Sequence, residues 1–279
     1  MGGLARAVFD QRGIAGAMNS KSQKITAVIL AGETHQEIFP DPSITNRAMI
    51  PLAGKTVLQW VVDALRGSEM AGRIIAVGNV KADGLDTVVS PPGGNFLNSL
   101  MTGLDAVEGE CRVLILLSDI PLLTAEAVAD FLIRAEEMEA EVVFPIVAKH
   151  ICNRRYPEIK RTYVRVREGE FTMGNLALVD TEFVKRNSSL IEGVFAARKS
   201  PFRMAGLVGF GLILRLLLAR LGISSALPLR KIEEAASRVL GGRLAVIQSE
   251  FPEIAEDMDR PGDLEIMERI FRTIIRSAD

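Results

Sequence analysis

The chain has 279 residues, of which 48% are apolar and 24% charged, and its formal net charge is −2. These values are typical of a globular protein with a sizeable core, and they argue against an extended nucleic-acid-binding surface, which needs an excess of Lys and Arg. The two cysteines have neither the spacing of a zinc site nor that of a disulfide framework. Together with the absence of a signal-peptide pattern, this predicts a cytoplasmic protein.

Two segments differ from ordinary globular sequence. Residues 1–24 are polar and weakly patterned, so we expect a disordered N-terminal extension. Residues 204–221 are strongly apolar but are interrupted by Arg215 and Arg220, and they fall short of the ~20 apolar residues of a membrane span. The sequence leaves open whether this second segment is a core helix, an interface such as that of a homodimer, or a helix on a membrane surface.

From residue 25 onward, strand and helix patterns alternate. Strands are predicted over 25–30, 73–77, 113–117 and 141–147. Helices are predicted over 55–66, 97–107 and 124–138. This alternation predicts an α/β fold with a mostly parallel central sheet and helices on both faces.

The chain changes character after residue 147. Residues 150–167 are rich in Lys and Arg, and the alternation over 162–167 is typical of a half-exposed strand. The remaining predicted elements are a strand over 176–179, helices over 181–198, 201–221 and 228–240, a strand over 244–248, and a helix over 262–276. Because no linker is evident, we predict one domain over 25–279, in which residues 148–242 form a lid or acceptor region.

One carboxylate stands where the most apolar predicted strand ends. Five consecutive apolar residues are followed by Ser118, Asp119, Ile120 and Pro121. Open α/β sheets bind ligands just beyond the carboxyl ends of their strands, so Asp119 is well placed to hold Mg²⁺ and, through it, substrate phosphates. The alternative is an aspartate that caps the next helix.

The first predicted strand runs into Leu30, Ala31 and Gly32. Gly32 would allow backbone N–H groups to approach a phosphate or a base closely. The loop does not match the G-x-G-x-x-G fingerprint, which disfavours a Rossmann-type dehydrogenase. Further on, Arg47 is a lone cation entering an apolar segment, and its planar fork suits phosphate contact, with a surface salt bridge as the alternative.

Four stretches, taken in order, resemble the nucleotidyltransferases related to molybdenum-cofactor guanylyltransferase. They are Leu30-Ala31-Gly32 with residues 46–55, residues 93–104, residues 118–124, and residues 257–264. The resemblance spans about residues 25–267. It implies a GT-A-like, Rossmann-related fold and an enzyme that joins a nucleoside triphosphate to an acceptor and releases pyrophosphate.

The resemblance also implies residue roles. The implied nucleotide-binding residues are Leu30, Ala31, Gly32, Arg47, Gly94, Asn95 and Ser99. Asp119 and Asp259 would share Mg²⁺, and Arg47 would take the place of the signature Lys at the phosphates. Glu33 departs from the pattern, which has a second glycine there, and its charge would repel a triphosphate unless it points away or helps to bind metal.

The physical case for a metal does not depend on the resemblance. Two converging carboxylates repel each other, and one pKa must rise unless a cation neutralises them. Mg²⁺ binds through one or two carboxylates plus substrate phosphates, which fits Asp119 and Asp259. The alternative for Asp259 is a carboxylate that interacts with a helix dipole beside Pro261.

The cation-rich stretch is the best candidate for binding an anionic acceptor. Lys160 and Arg161 precede the alternating strand, and Gly174 and Asn175 offer hydrogen bonds to a sugar or alcohol. The alternative is a solvated charged face, which is the commoner meaning of such runs.

These inferences predict an Mg²⁺-dependent nucleotidyltransferase that uses CTP or GTP and a small, phosphorylated acceptor. Two alternatives stay open. A GT-A glycosyltransferase using a nucleotide-sugar would normally show Asp-x-Asp where this chain has Ser118-Asp119-Ile120. A nucleotide-binding regulatory protein would bind the nucleotide without turnover.

Overall fold

The computed structural model describes residues 24–32, 44–91, 95–197, 227–260 and 262–278. Five predictions fall outside the described residues. They concern the N-terminal extension (except Lys24), Glu33, Gly94, the helix over 201–221 and the apolar segment 204–221 within it.

Strands and helices alternate along the first half of the chain, as the sequence predicts. The strands are β1 (Ile25–Leu30), β2 (Pro51–Leu52), β3 (Lys55–Thr56), β4 (Ala71–Val77), β5 (Thr87–Val89), β6 (Arg112–Leu117), β7 (Val142–Ala148), β8 (Val164–Val166), β9 (Gly169–Met173), β10 (Leu176–Asp180) and β11 (Leu244–Ser249). The helices are α1 (Val57–Gly67), α2 (Phe96–Asp105), α3 (Ala125–Glu136), α4 (Lys149–Arg155), α5 (Thr181–Arg186), α6 (Ser188–Ala197), α7 (Leu229–Leu240) and α8 (Asp263–Ala278), with 3-10 turns at Arg47–Met49 and Pro252–Ala255. Within the described ranges, no helix combines the length and apolar character needed to cross a bilayer.

The central sheet has the strand order β5-β4-β1-β6-β10-β7-β9-β8, and β11 pairs with the other edge of β7. Strands β5, β4, β1 and β6 run parallel to one another, as do β7 and β11. Strand β10 is antiparallel to both of its neighbours, and β8 and β9 form an antiparallel extension. The predicted α/β class is confirmed, and the sheet divides into a parallel half and a half in which antiparallel pairs predominate.

The elements that sequence patterns missed are short or lack periodicity. Strand β5 has only three residues at the sheet edge, and α4 carries no clear apolar face in the cation-rich stretch. The sequence pattern does not separate β9 from β10, because β9 directly precedes the Gly174-Asn175 pair that leads into β10. The helix predicted over 181–198 divides at Asn187, which ends α5 before α6 begins.

The core lies on both faces of the sheet because the central strands are apolar on both sides. All six residues of β1 are buried. Alternate residues of β1 pack on opposite faces: Ile29 joins the cluster formed with α1 and α3, whereas Val28 and Leu30 join the cluster formed with α2. A continuously apolar run is therefore a strand covered on both faces, as expected for the parallel part of a sheet.

Helix α2 lies unusually close to the sheet at Gly103. A Cβ at this position would come within 2.4 Å of Val28 Cγ1 and 3.0 Å of Val77 Cγ2, and both valines are fully buried. Glycine is therefore required here by close packing and not by backbone conformation. The contact determines how closely the N-terminal end of α2, which carries Asn95 and Ser99, approaches β1.

We expect Gly103→Ala to lower the free energy of unfolding. Overpacking costs about 1–3 kcal/mol, whereas the gain in helix propensity from Gly to Ala is at most about 1 kcal/mol. Gly193 is the matched control, because it also lies inside a helix and a Cβ there would meet nothing within 4 Å. Denaturant unfolding should show Gly193→Ala as neutral or stabilising. Equal stability of the two variants would refute the close packing of α2 on β1.

Candidate functional site

Asp119 and Asp259 meet at the guanidinium of Arg47. One nitrogen of Arg47, Nη1, donates to Asp119 Oδ2 at 2.6 Å and to Asp259 Oδ1 at 2.5 Å. The two carboxylate oxygens are therefore no farther apart than the sum of those distances. The fold thus brings together three of the residues that the sequence singled out, although they lie 72 and 212 positions apart.

Backbone hydrogen bonds bring the two aspartates to this place. Asp119 follows β6, and the N–H of Ser118 donates to the carbonyl of Leu30 at 3.3 Å. The N–H of Met258 donates to the carbonyl of Asp119 at 3.0 Å, so the segment carrying Asp259 is bonded directly to the end of β6. Asp263, at the start of α8, accepts from the N–H of Asp259 at 2.9 Å and shapes the turn on its other side.

Asn46, which the sequence analysis did not single out, positions Arg47. Its side-chain amide donates to the carbonyl of Ala31 at 2.8 Å, and its oxygen accepts from the N–H of Ala48 at 2.9 Å. Asn46 is buried and caps the 3-10 turn that carries Arg47. The end of β1 and the arginine are thus held as one unit. The only sequence signal was an Asn in the position typical of a helix N-cap.

Burial dominates the electrostatics of this site. Desolvation raises the pKa of Asp119 to about 6; the nearby Arg47 opposes this shift, and Asp257 and Asp259 add to it. Burial also raises the pKa of Asp257, in spite of the neighbouring Arg161. A largely buried carboxylate therefore lies close to two others, and such a place favours a bound cation.

The residues present fit a divalent cation. Asp119 Oδ1 is buried and has no hydrogen-bond partner among the residues that the structure describes, and the Asp259 side chain, bound to the same guanidinium nitrogen, is 59% exposed. Carboxylate oxygens are the ligands that Mg²⁺ prefers, and it usually takes one or two of them together with phosphates. Asp119 and Asp259 would hold it, in competition with the Arg47 guanidinium.

Several of the residues predicted to bind nucleotide lie close together at the end of β1. A Cβ at Gly32 would lie 3.5 Å from Ser99 Oγ, so the Gly32 backbone and the first turns of α2 face each other. Ala31 is bonded to β4, through a 2.9 Å hydrogen bond from its N–H to the carbonyl of Val77. Asn95 is the N-cap of α2 and accepts from the N–H of Asn98 at 2.7 Å, so its side-chain oxygen is already engaged.

A cavity of about 320 Å³ lies beside Asp259. Its lining includes three of the four residues predicted to bind the acceptor, Lys160, Arg161 and Asn175. The backbone N–H groups of Gly174 and Asn175 donate to Pro145 and Ile254, so they are not free for a ligand. What remains is the side-chain amide of Asn175, whose buried Nδ2 has no hydrogen-bond partner within the described ranges.

Arg161 is held by carboxylates of its own chain. Its Nε donates to Glu256 at 2.9 Å, and its Nη1 donates to Asp257 at 2.6 Å. The arginine side chain is only 9% exposed, and Glu256 is almost fully buried. Arg161 therefore anchors the segment that leads to Asp259, while its predicted contact with an acceptor stays a prediction.

The comparison with family models decides the assignment. The model of the MobA-like NTP transferase domain matches residues 27–200. The chain belongs to this family of nucleotidyltransferases. The matched range contains Arg47 and Asp119, and Asp259 lies beyond it.

Solved structures agree with the fold of this transferase. A hypothetical transferase from Thermus thermophilus is 35% identical, with 87% of this chain and 100% of that chain covered and a TM-score of 0.76. A 2-C-methyl-D-erythritol 4-phosphate cytidylyltransferase, also from Thermus thermophilus, is 17% identical, with 90% and 100% covered and a TM-score of 0.52. A CMP:2-keto-3-deoxy-manno-octonic acid synthetase in complex with CTP is 13% identical, with 90% and 100% covered and a TM-score of 0.56. The comparison with curated proteins gave no match.

Removal of the Arg161 guanidinium should destabilise the transferase strongly. We expect Arg161→Ala to lower the free energy of unfolding by roughly 3–5 kcal/mol, because it leaves the buried Glu256 without a counter-ion. Arg165→Ala is the control: Arg165 pairs with Glu170 at 3.3 Å on the surface, where an ion pair contributes about 0–1 kcal/mol. Thermal or denaturant unfolding measures both variants. A small loss in Arg161→Ala would mean that Arg161 does not anchor this segment.

Proposed function

We propose that this protein transfers a nucleoside monophosphate from CTP or GTP to a small, phosphorylated acceptor, depends on Mg²⁺ and releases pyrophosphate. The observation that carries the proposal is the convergence of Asp119 and Asp259 on one nitrogen of Arg47, at the carboxyl end of β6. The family assignment supports a nucleoside triphosphate as donor. The CTP in one solved relative supports a cytidine nucleotide without excluding guanosine.

The transfer would be an in-line displacement at phosphorus. An oxygen of the acceptor phosphate attacks the α-phosphorus of the triphosphate, and a new P–O bond forms. The bond from the α-phosphorus to the oxygen that bridges to the β-phosphate breaks, and pyrophosphate leaves with that electron pair. The attacking oxygen is already anionic, so the chain need not provide a general base.

The contribution of the chain is positioning and charge neutralisation. The backbone at Gly32 and the first turns of α2 with Ser99 would hold the nucleotide. Arg47 would release the two aspartates and donate to the phosphates, where negative charge develops on the leaving group. A divalent cation bound by Asp119 and Asp259 would neutralise phosphate charge.

The function itself is tested with the full chain, each NTP, Mg²⁺ and pyrophosphatase, beside a panel of phosphorylated acceptors. Phosphate release that requires both an NTP and an acceptor supports the transferase. Nucleotide binding without release across the panel would favour a regulatory protein. Release of a nucleoside diphosphate from a nucleotide-sugar would favour a glycosyltransferase.

We expect Asp119→Asn and Asp259→Asn each to lower kcat by about 100-fold or more, because each removes a charge positioned at the reacting phosphates. Asp63→Asn is the control, since Asp63 of α1 forms an exposed ion pair with Lys55 of β3 and is not part of the candidate site. Steady-state rates at saturating nucleotide compare the variants. An active Asp259→Asn variant would remove Asp259 from the proposed metal site.

Loss of the Arg47 side-chain charge should have two opposite effects. Turnover should fall, because the phosphates lose a donor. Binding of Mn²⁺ without nucleotide should tighten by at least about tenfold, because the two hydrogen bonds from Arg47, each worth about 1.5–3 kcal/mol, no longer compete for the carboxylates. Calorimetry of Arg47→Met beside the unaltered protein at pH 8 measures the metal affinity.

Arg66→Met is the matched control for the metal titration. Arg66 pairs with Asp86 at 2.6 Å, but this pair is exposed and lies on another part of the surface. Its removal should leave Mn²⁺ affinity unchanged. Unchanged or weaker metal binding in Arg47→Met would show that the guanidinium does not occupy the cation position.

A further inference from the structure

One wall of the cavity beside Asp259 is apolar and exposed. Val164 is 45% exposed and Met173 is 60% exposed, and both residues line this cavity together with the buried Phe171. Val164 is the register partner of Phe171 across β8 and β9, and Met173 follows Phe171 by two positions. Such residues share one face of a sheet, so the three side chains form a single surface.

Two further cations, Lys160 and Arg260, also line the cavity. Among the described residues, neither Lys160 nor Arg260 forms an ion pair, although both line the cavity. The third cation, Arg161, is neutralised by Glu256 and Asp257. Lys160 and Arg260 therefore remain to receive an anion next to Asp259.

The side-chain amide of Asn175 provides one further polar group. Asn175 lines the same cavity, and no described residue is a hydrogen-bond partner of its Nδ2. The cavity volume of about 320 Å³ is near the lower end of the range for small-molecule sites. The site would therefore take a short molecule that has an anionic end and an apolar end.

We propose that the acceptor is an amphiphilic phosphomonoester, with its phosphate between Lys160 and Arg260 and its apolar body against Val164 and Met173. This inference rests on the proposed function and names its acceptor class. In the transfer, an oxygen of that phosphate bonds to the α-phosphorus of the nucleotide, pyrophosphate leaves, and the apolar body stays in the cavity.

The test is calorimetry of the full chain with Mg²⁺ and the α,β-methylene analogue of CTP or GTP, whichever binds. The probes are inorganic phosphate and methyl, butyl and hexyl phosphate. We expect the dissociation constant to fall by up to about fourfold for each methylene that is buried, until the cavity is filled. Val164→Thr and Met173→Gln should flatten this dependence on chain length.

Two sets of variants separate the apolar and anionic ends. Val88 is the matched control, because it is 44% exposed on β5, at the opposite end of the sheet, and Val88→Thr should leave the series unchanged. Lys160→Gln and Arg260→Gln should weaken all alkyl phosphates by about tenfold each and preserve the dependence on chain length.

The outcomes distinguish this inference from the proposed function. If the nucleotide analogue binds but hexyl phosphate binds no better than inorganic phosphate, the amphiphilic acceptor is refuted and the transferase stands. If affinity rises with chain length as steeply in Met173→Gln and Val164→Thr as in the unaltered protein, these two residues do not form the apolar wall of the acceptor site. If neither nucleotide analogue binds, the proposed function fails, and this inference fails with it.

Discussion

The sharing of one arginine nitrogen by Asp119 and Asp259 is the interaction on which the rest of the site depends. Two carboxylates held this close, one of them buried, require a positive charge between them. Arg47 supplies it in the structure. The same electrostatic demand makes the position suitable for a divalent cation, and in the proposed function such a cation would free the guanidinium to interact with phosphate.

A second ion cluster, centred on Arg161, holds the segment that precedes Asp259. Arg161 holds Glu256 and Asp257, which lie three and two positions before Asp259, and Tyr156 donates to the buried carboxylate of Glu253 at 2.8 Å. Buried ion pairs of this kind add little net stability compared with apolar packing, but loss of one partner is costly. They are well suited to holding a segment in one conformation, which is what Asp259 needs.

The two halves of the sheet carry different parts of the candidate site. The parallel half, built around β1 and β6, carries Gly32 and Asp119 at its carboxyl ends and faces Ser99 on α2. The other half, with β8 and β9, carries the cavity with Lys160 and Met173. In the proposed function, the nucleotide lies where open α/β sheets bind ligands generally, and the acceptor lies in the cavity of the other half.

Apolar periodicity in the sequence predicted the strands β1, β4 and β6 and placed Asp119 at the end of β6, and the resemblance assigned Asp259 to the same site. Apolar periodicity carries this information because it records which side of each element is buried. The antiparallel course of β10 between β6 and β7 became known from the three-dimensional structure, as did the pairing of Arg161 and, among the described residues, the lack of an ion pair at Lys160. These outcomes depend on contacts between residues far apart in the chain, 95 positions in the case of Arg161 and Glu256, and no local pattern encodes the partner of a charge at that distance.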